Sequence, residues 1–558
     1  MFLLALFLTL CTSVAQDTKT PVVNVVLVGA LGDLSKKYLF QAFSRVDTLR
    51  FDGPQPELVL WPGSRSKTED GRAAMKDILK DHLKCKQGVD YILSDELHEC
   101  ISNQGEFKAR VMPYVQLKYD NHYKELDTAI DTHNSVQNYR EMGRLMYLSI
   151  PPKAYQNVSK SIAEHVRPDV SANADADADS TANAPWLRVV FEKPFGSDEN
   201  SAIKLAEGIG ESLQEQEIYR IDHYLGKAGV QVIYDFRVAN KNQYEELFNN
   251  QHVKFVDVVM KEKTDCVGRA GYYDDYGVVR DLHQNHLSEM MALAMMDLVD
   301  EEGNTTAEAN SELMSMYKSY LYDAIAPPTL ADAVIGQYEG YQKHVEQDRA
   351  KWMKDPAQIK QRSVTPTFAS VRLAVDSDRW RGVPVYVTSG KAMEEREAYV
   401  RIVFNNGEEL LFYVQGGGKG THVHATTGLP AFQLPEGWNS ESNAGSNAGS
   451  NAGSNEKGSH TMTPASNPGG YDHLVSKVWS GDMSHFVATD TLLASWRLWT
   501  PLLNELDGQK EAPPLYKEGG AAMHDAIRGK WTAFTSCRFC QAPPSSTEMD
   551  AAAAATEL

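Results

Sequence analysis

Residues 220 to 227 read Arg-Ile-Asp-His-Tyr-Leu-Gly-Lys. Arg220, Asp222, His223 and Lys227, with the Tyr224 hydroxyl beside them, are groups that can hold or orient an anion. A solvated face can carry such charges, but it has no need of His-Tyr followed at once by Leu-Gly. A second polar run, from Val278 to Leu287, reads Val-Val-Arg-Asp-Leu-His-Gln-Asn-His-Leu and continues into a Met- and Ala-rich helix. It supplies two histidines, and histidine is the natural base for a hydroxyl proton because its unperturbed pKa lies near about 6.5. His283 and His286 are both candidates, and residue type and spacing do not choose between them.

These groups need elements to position them. Val22 to Val28 is a β-branched run with the character of a buried strand. Gly29-Ala30-Leu31-Gly32-Asp33-Leu34-Ser35-Lys36-Lys37 follows, then a helical stretch to about Val46. Strand, Gly-rich turn and helix is the context of a dinucleotide-binding turn, in which glycines let the backbone approach a pyrophosphate. The Gly-x-x-Gly spacing is shorter than the full fingerprint. Leu58 to Leu60 reads as a second strand, running into Gly63-Ser64-Arg65-Ser66-Lys67. A base there suits the 2′-phosphate of NADP where a carboxylate would suit NAD, so Arg65 and Lys67 favour NADP. Leu145–Ile150 and Leu187–Phe191 read as later strands of the same sheet, the second entering Glu192-Lys193-Pro194-Phe195-Gly196. Beyond Lys227, strand character recurs at Val253–Met260, Ser370–Val375, Val383–Thr388, Tyr399–Phe404 and Glu409–Val414. Connections too short for repeated helical crossovers predict a largely antiparallel sheet. Ala494–Leu503 reads as a packed helix stopped near Pro501.

A chain of 558 residues with 42% hydrophobic and 23% charged residues is an ordinary globular composition spread over two or three domains. A net charge of −20 repels nucleic-acid phosphates, yet leaves room for a few lysines to dominate one pocket. Residues 1–16 pattern as a secretory signal peptide without an early base, and no later run is long and apolar enough to span a bilayer. The expected location is therefore the endoplasmic reticulum lumen or secretory pathway, with the cytoplasm as the alternative if the N-terminus is not a signal. Cys85 and Cys100 are plausible disulfide partners there, and Cys537-x-x-Cys540, a single pair, is read as a local disulfide rather than a metal site. Asn157 and Asn304 stand in sequons usable in that compartment. Residues 171–184 and 440–460 are low-complexity loops, and 541–558 is read as a disordered tail.

The octapeptide resembles the active-site signature of the glucose-6-phosphate dehydrogenases. The resemblance runs from about Val22 to Leu503, through Arg-Leu-Met-Tyr-Leu-Ser-Ile-Pro-Pro, Thr365-Pro366-Thr367-Phe368-Ala369 and Trp496-Arg497-Leu498-Trp499-Thr500-Pro501-Leu502-Leu503. It implies an N-terminal Rossmann-like, doubly wound NADP-binding domain over 20–222. A larger α+β domain on a mainly antiparallel sheet would span 223–540. It also implies NADP-dependent oxidation of glucose 6-phosphate at C1, with His286 as general base and Asp222 orienting it. His223, Tyr224 and Lys227 would cradle the 6-phosphate, and Lys193 would sit where cofactor and sugar meet. Glu262, Asp281, Lys391 and Arg396 would contact the sugar phosphate, and Gly29, Gly32, Asp33, Leu34, Arg65 and Lys193 the cofactor. No metal is expected, and a homodimer is. The chain is similar to the dehydrogenase portion of the lumenal hexose-6-phosphate dehydrogenases; about fifty residues follow that portion, too few for their lactonase domain. A further nucleotide site of some animal members would need a base where this chain has Glu397, leaving Arg401 as the available cation. Two other readings are a catalytically silent lumenal binding protein on the same fold and an oxidoreductase for unphosphorylated sugars. The second would not need His223, Tyr224 and Lys227 together.

Overall fold

The computed structural model describes residues 19–44, 56–82, 89–93, 98–102, 108–169, 184–299, 307–416, 420–440, 461–467 and 469–531. The signal-like N-terminus, Cys85, Asn304, nearly all of both low-complexity loops, Cys537, Cys540 and the tail lie outside them, as does the Cys100 side chain. Asn157 is exposed on a helix, with Ser159 of its sequon buried. Two compact units are present, 1–149 with 161–188 and 150–160 with 189–558.

The first unit is built on β1 (Thr20–Val28), β2 (Glu57–Ser64), β3 (Val89–Leu93), β4 (His98–Ser102), β5 (Lys108–Val111), β6 (Val115–Gln116) and β7 (Tyr139–Leu148). Their order is β3-β4-β5-β2-β1-β7, with β6 paired to β2. β5, β2, β1 and β7 run parallel, while β3 and β4 extend the sheet antiparallel. Every residue from Val22 to Val28 is buried, as a parallel strand covered on both faces requires. The polar exception, Asn24, is satisfied: it donates to Glu141 Oε1 at 2.8 Å and accepts from Trp61 Nε1 at 3.0 Å. Helix Asp120–Val136 buries Tyr123, Leu126, Ile130 and Asn134, one stripe at helical spacing. The chain order reverses between β1 and β7, and such a switch point opens a crevice at the strands' carboxyl ends. The Gly29 turn leaves β1 there.

The second unit holds the end of β8 (Trp186–Glu192), paired parallel from Val189 with β9 (Ile218–Ile221). It also holds β10 (Val253–Lys261), β11 (Ala333–Tyr338), β12 (Phe368–Ala374), β13 (Pro384–Gly390) and β14 (Glu397–Phe404). β15 (Glu409–Gly416), β16 (His422–Ala425), β17 (Trp438–Ser440), β18 (Thr461–Pro464) and β19 (Leu515–Tyr516) complete it. The order is β17-β18-β16-β15-β14-β10-β13-β12-β11-β19. Only β10–β13 and β11–β19 pair parallel, so the sheet is mainly antiparallel as its short connections implied.

One helix runs past its proline, where the sequence pointed to a stop. It spans Thr489–Asp507 and passes through Pro501 without ending. Proline lacks the N–H that would bond four residues back. Buried Trp496, Leu498 and Trp499 before it, and Leu502, Leu503 and Leu506 after it, hold the helix on the core regardless. Indole donors anchor it further, Trp496 to the Phe195 carbonyl at 2.9 Å and Trp499 to Ser288 Oγ at 2.8 Å.

Candidate active site

In the first unit, Gly29 adopts φ +95°, a backbone conformation that favours glycine, and its N–H donates to Gly63 O at 2.8 Å. The turn closes with Gly32 N–H on Gly29 O at 2.9 Å and Ser35 Oγ on the same carbonyl at 3.1 Å. A Cβ on Gly32 would come within 3.1 Å of Gly29 O, so the turn is tight enough to need glycine at both positions. Asp33 is exposed and Leu34 half-buried at the turn, and Arg65 and Lys67 are exposed just past β2. The chain end of β7 is tied in by Ser149 N–H to Val28 O at 2.9 Å. A bare backbone turn at the switch point with free bases one strand away fits an NADP pyrophosphate and 2′-phosphate.

The second unit brings the sugar-phosphate candidates together. β9 delivers Asp222 and the tight turn after it, and a π-helix, Val279–Leu287, carries Asp281 and His286. Wide π turns often mark functional sites because they re-aim side chains. His286 Nδ1 lies 2.5 Å from Asp222 Oδ1, both nearly fully buried, and that oxygen also accepts the Tyr224 N–H at 2.9 Å. On the other side, Lys193 Nζ is 2.9 Å from His286 Nε2 and 2.9 Å from the Asp281 carbonyl. An ammonium can only donate, so Nε2 is the acceptor and Nδ1 carries the proton given to Asp222. That tautomer leaves Nε2 as the basic nitrogen. The peptide before Pro194 is cis.

Around this pair, His223 and Tyr224 both pack on the His286 ring, with centroids at 4.7 and 4.4 Å. Lys227 Nζ lies 3.7 Å from the Tyr224 ring centroid and donates to Gln415 Oε1. Gln415 in turn donates to the Tyr224 hydroxyl at 2.6 Å and is approached by Arg396 at 3.4 Å. Lys391 donates to Glu262 and, at 2.9 Å, to Asp281 Oδ2. Every substrate-side residue that the family resemblance implied therefore belongs to one connected cluster.

Three expectations change. Arg220 does not face the cluster: it is buried, bonded to Glu215 Oε1 at 2.9 Å, and neutralised there. His283 points elsewhere, edge-on to Trp499 at 5.2 Å, where burial pushes its pKa to about 3. Arg401, the available cation for a further nucleotide site, is fully buried against Asp257 at 3.2 Å and Glu409 at 3.8 Å, while Glu397 pairs with Lys261 at 2.6 Å. An arginine already neutralised by two carboxylates does not fit a second dinucleotide phosphate. Gln415, which ties the Lys227 and Tyr224 groups together, went unnoticed in the sequence. A lone glutamine at a strand end carries no local mark.

The electrostatics follow from burial first. Burial holds His286 well below the usual histidine range, with the Lys193 ammonium adding to it. Burial likewise depresses His223, with His286 adding, and raises Asp222 against the pull of His223 and Lys193. Lys227 is brought down to about 8 by burial, assisted by Arg396. Burial alone would raise Asp281, but the Lys391 and Lys193 ammonium groups outweigh it and hold its carboxyl well below the usual range. Lys391 is raised, since Asp281 and Glu262 outweigh its own desolvation. The unit thus holds a neutral base beside a cluster of cations.

Gly226 of the octapeptide has a steric reason. A Cβ there would sit 2.1 Å from the Gly470 carbonyl oxygen, which belongs to backbone and cannot turn aside. Gly226→Ala is expected to destabilise the protein by about 1–3 kcal/mol through overpacking, read as a lowered thermal unfolding midpoint; an unchanged midpoint would show that this contact yields.

A family model described as glucose-6-phosphate dehydrogenase, NAD binding domain, matches residues 26–232, and one described as its C-terminal domain matches 234–530. The GDH/6PGL endoplasmic bifunctional protein of Homo sapiens is 32% identical over 517 residues, covering 89% of this chain and 61% of that protein. Glucose-6-phosphate 1-dehydrogenase 5, cytoplasmic, of Arabidopsis thaliana is 30% identical over 515 residues, covering 91% of each. The chain spans about three fifths of the length of the bifunctional relatives it matches. A solved structure described as glucose-6-phosphate dehydrogenase in complex with its substrate glucose-6-phosphate superposes with TM-score 0.65 at 25% identity, over 96% of this chain and 98% of that one. The two domain matches together take in most of the chain, and it belongs to the NADP-using glucose-6-phosphate dehydrogenase family.

Proposed function

We propose that this chain oxidises glucose 6-phosphate at C1 with NADP⁺, giving the 6-phospho-lactone and NADPH. The observation that carries the reading is a neutral imidazole, His286, held 2.5 Å from the Asp222 carboxylate in the same cluster as Lys227, Tyr224 and His223. Gly29, Gly32, Asp33, Leu34 and Arg65 would hold the cofactor, with Lys193 at its reactive end. NADP supplies the acceptor for the hydride that leaves C1.

The residues do the rest. Lys227, Tyr224 and His223 hold the phosphate, whose charge-assisted bonds are the strong kind. Glu262 and Asp281, aligned by Lys391, accept bonds from sugar hydroxyls. Arg396, exposed beside Gln415, adds positive charge at the phosphate end. Lys193 yields His286 Nε2 to the C1 hydroxyl, and Nε2 takes its proton as the C1–H bond breaks. Asp222 stabilises the imidazolium so formed, the carboxylate–imidazole logic of hydrolase triads. The reaction is the first of the oxidative pentose phosphate pathway. Similarity to the endoplasmic bifunctional relatives and the signal-like N-terminus support a lumenal site, and the family resemblance supports a homodimer. No helix among the described residues is long and apolar enough to cross a membrane.

The test is NADPH or NADH formation by purified protein with glucose 6-phosphate, galactose 6-phosphate and glucose, each with NADP⁺ and NAD⁺. Turnover of the phosphorylated sugars far above a weak residual activity on glucose is expected; no turnover with any of them would favour the silent binding protein.

The cluster also sets a pH dependence. Lys227 must be charged to hold phosphate, and in the free protein it loses its proton near pH 8. Because kcat/KM reports groups of the free enzyme, it should fall above pH 8 by about tenfold per pH unit. Lys227→Arg should remove that limb, whereas a wild-type profile flat through about pH 10, near the ordinary lysine value, would contradict it. The acid side should stay level through neutrality, since His286 titrates well below the usual range.

A further inference from the structure

Behind the Asp222–His286 pair lies a second pair of charges that the reaction above does not use. Glu289 stands three residues after His286, on the wholly buried helix Ser288–Met295 that continues the π-helix. Its carboxylate accepts from Lys318 Nζ at 2.7 Å, and the two side chains are 4% exposed each. Lys318 comes from a different helix, Ala307–Asp323. Tyr322, one turn further along that helix, is also buried and lies within electrostatic reach of both Glu289 and Asp222.

Stability does not explain such a pair, since a buried ion pair rarely outperforms well-packed apolar residues of the same size. Its position offers a reason. Asp222 uses Oδ1 for His286 and the Tyr224 amide, while its buried Oδ2 has no hydrogen-bond partner among the described residues, nor has the Tyr322 hydroxyl. Asp222 and Glu289 both line a small cavity of about 30 Å³, whose wall also includes Lys193, Arg280, Gln284 and Ser495. That is room for a bridging water. Glu289 is on the cavity wall and Lys318 is not, so the ion pair turns its negative end towards Asp222.

We propose that the Glu289–Lys318 pair, with Tyr322, is a positioning element for the proton-accepting dyad: its negative end favours the protonated imidazole and so strengthens His286 as a base. This rests on the reading of His286 as general base. The charges facing the dyad from elsewhere are Lys193, Lys227, Lys391 and Asp281, with His223 a neutral ring beside it and Arg280, paired with Asp507, on the cavity wall. Four of these act in the substrate cleft on the His286 side, and Lys193, Lys227 and Lys391 all disfavour the imidazolium. Glu289 opposes them from the cavity wall. His485 is the remaining titratable group within reach of Lys318, and burial leaves it neutral down to about pH 3.

Glu289→Gln removes the negative end. Lys318→Met leaves a buried carboxylate without its cation, which then takes a proton and loses its charge as well. The double variant Glu289→Gln/Lys318→Met removes both charges and keeps the packing. In all three, the imidazolium is less stabilised. The acid limb of kcat should therefore move to lower pH by about half a unit or more, and the kcat plateau should fall by up to about threefold for each half unit. KM for glucose 6-phosphate should stay within about twofold.

The measurement is kcat and KM from about pH 4 to 9, a span that brackets histidine titration, for wild type, Glu289→Gln and the double variant, alongside thermal midpoints. Should Glu289→Gln not fold, the double variant decides. A double variant with wild-type kcat and acid limb, whatever its midpoint, would make the pair structural only and overturn the inference. Wild-type protein without turnover would instead sink the dehydrogenase reading itself.

Discussion

Replacing His286 by Asn should lower kcat by about 10³-fold or more while KM for glucose 6-phosphate stays within a few-fold. Asparagine is close in size and can still donate to Asp222 from one end, so the pocket keeps its shape. It cannot accept the C1 hydroxyl proton. Loss confined to kcat is the signature of an interaction made only as the bond breaks. Steady-state kinetics with a check of bound-substrate affinity would measure it. Turnover within about tenfold of wild type, less than any general base contributes, would remove His286 from the reaction.

Lys227→Ala should act on the other parameter. Truncating one partner of a desolvated charge pair typically costs about 2–5 kcal/mol, which predicts a rise in KM for glucose 6-phosphate of about 30-fold or more. The rate at saturation should change less, because the phosphate is remote from C1. Activity on free glucose, lacking the phosphate, should hardly change. An equal loss on both sugars would show that Lys227 supports the fold rather than the phosphate. The free protein should not be destabilised by the change. Burial already disfavours the Lys227 charge, and a basic group with a lowered folded pKa makes the folded state bind fewer protons than the unfolded chain between about pH 8 and the ordinary lysine value. The ammonium is thus held at some cost until a phosphate arrives.

Much of this was legible because it is local. The β1 run, the Gly29–Gly32 turn and the octapeptide each compress their meaning into under a dozen residues, and the structure keeps them as strand, turn and cluster. Choosing between His283 and His286 was not local. Their surroundings differ through Trp499 on one side and Asp222 on the other, both distant in sequence, and only the family resemblance singled out His286. Arg220 was misread because nothing in the octapeptide shows which neighbour neutralises it; Glu215 does. Pro501 signalled a helix end by a sound local rule that tertiary packing overrode. Gln415 and the Glu289–Lys318 pair depend on contacts between separate elements, where sequence periodicity is silent.

The proposed chemistry depends on how a hexose 6-phosphate lies in the second unit. A crystal structure of the protein with glucose 6-phosphate tests this most directly. It should place the phosphate in hydrogen-bond reach of Lys227, Tyr224 and His223, and the C1 hydroxyl on His286 Nε2 in place of the Lys193 ammonium. A sugar bound the other way round, or outside this cluster, would contradict it.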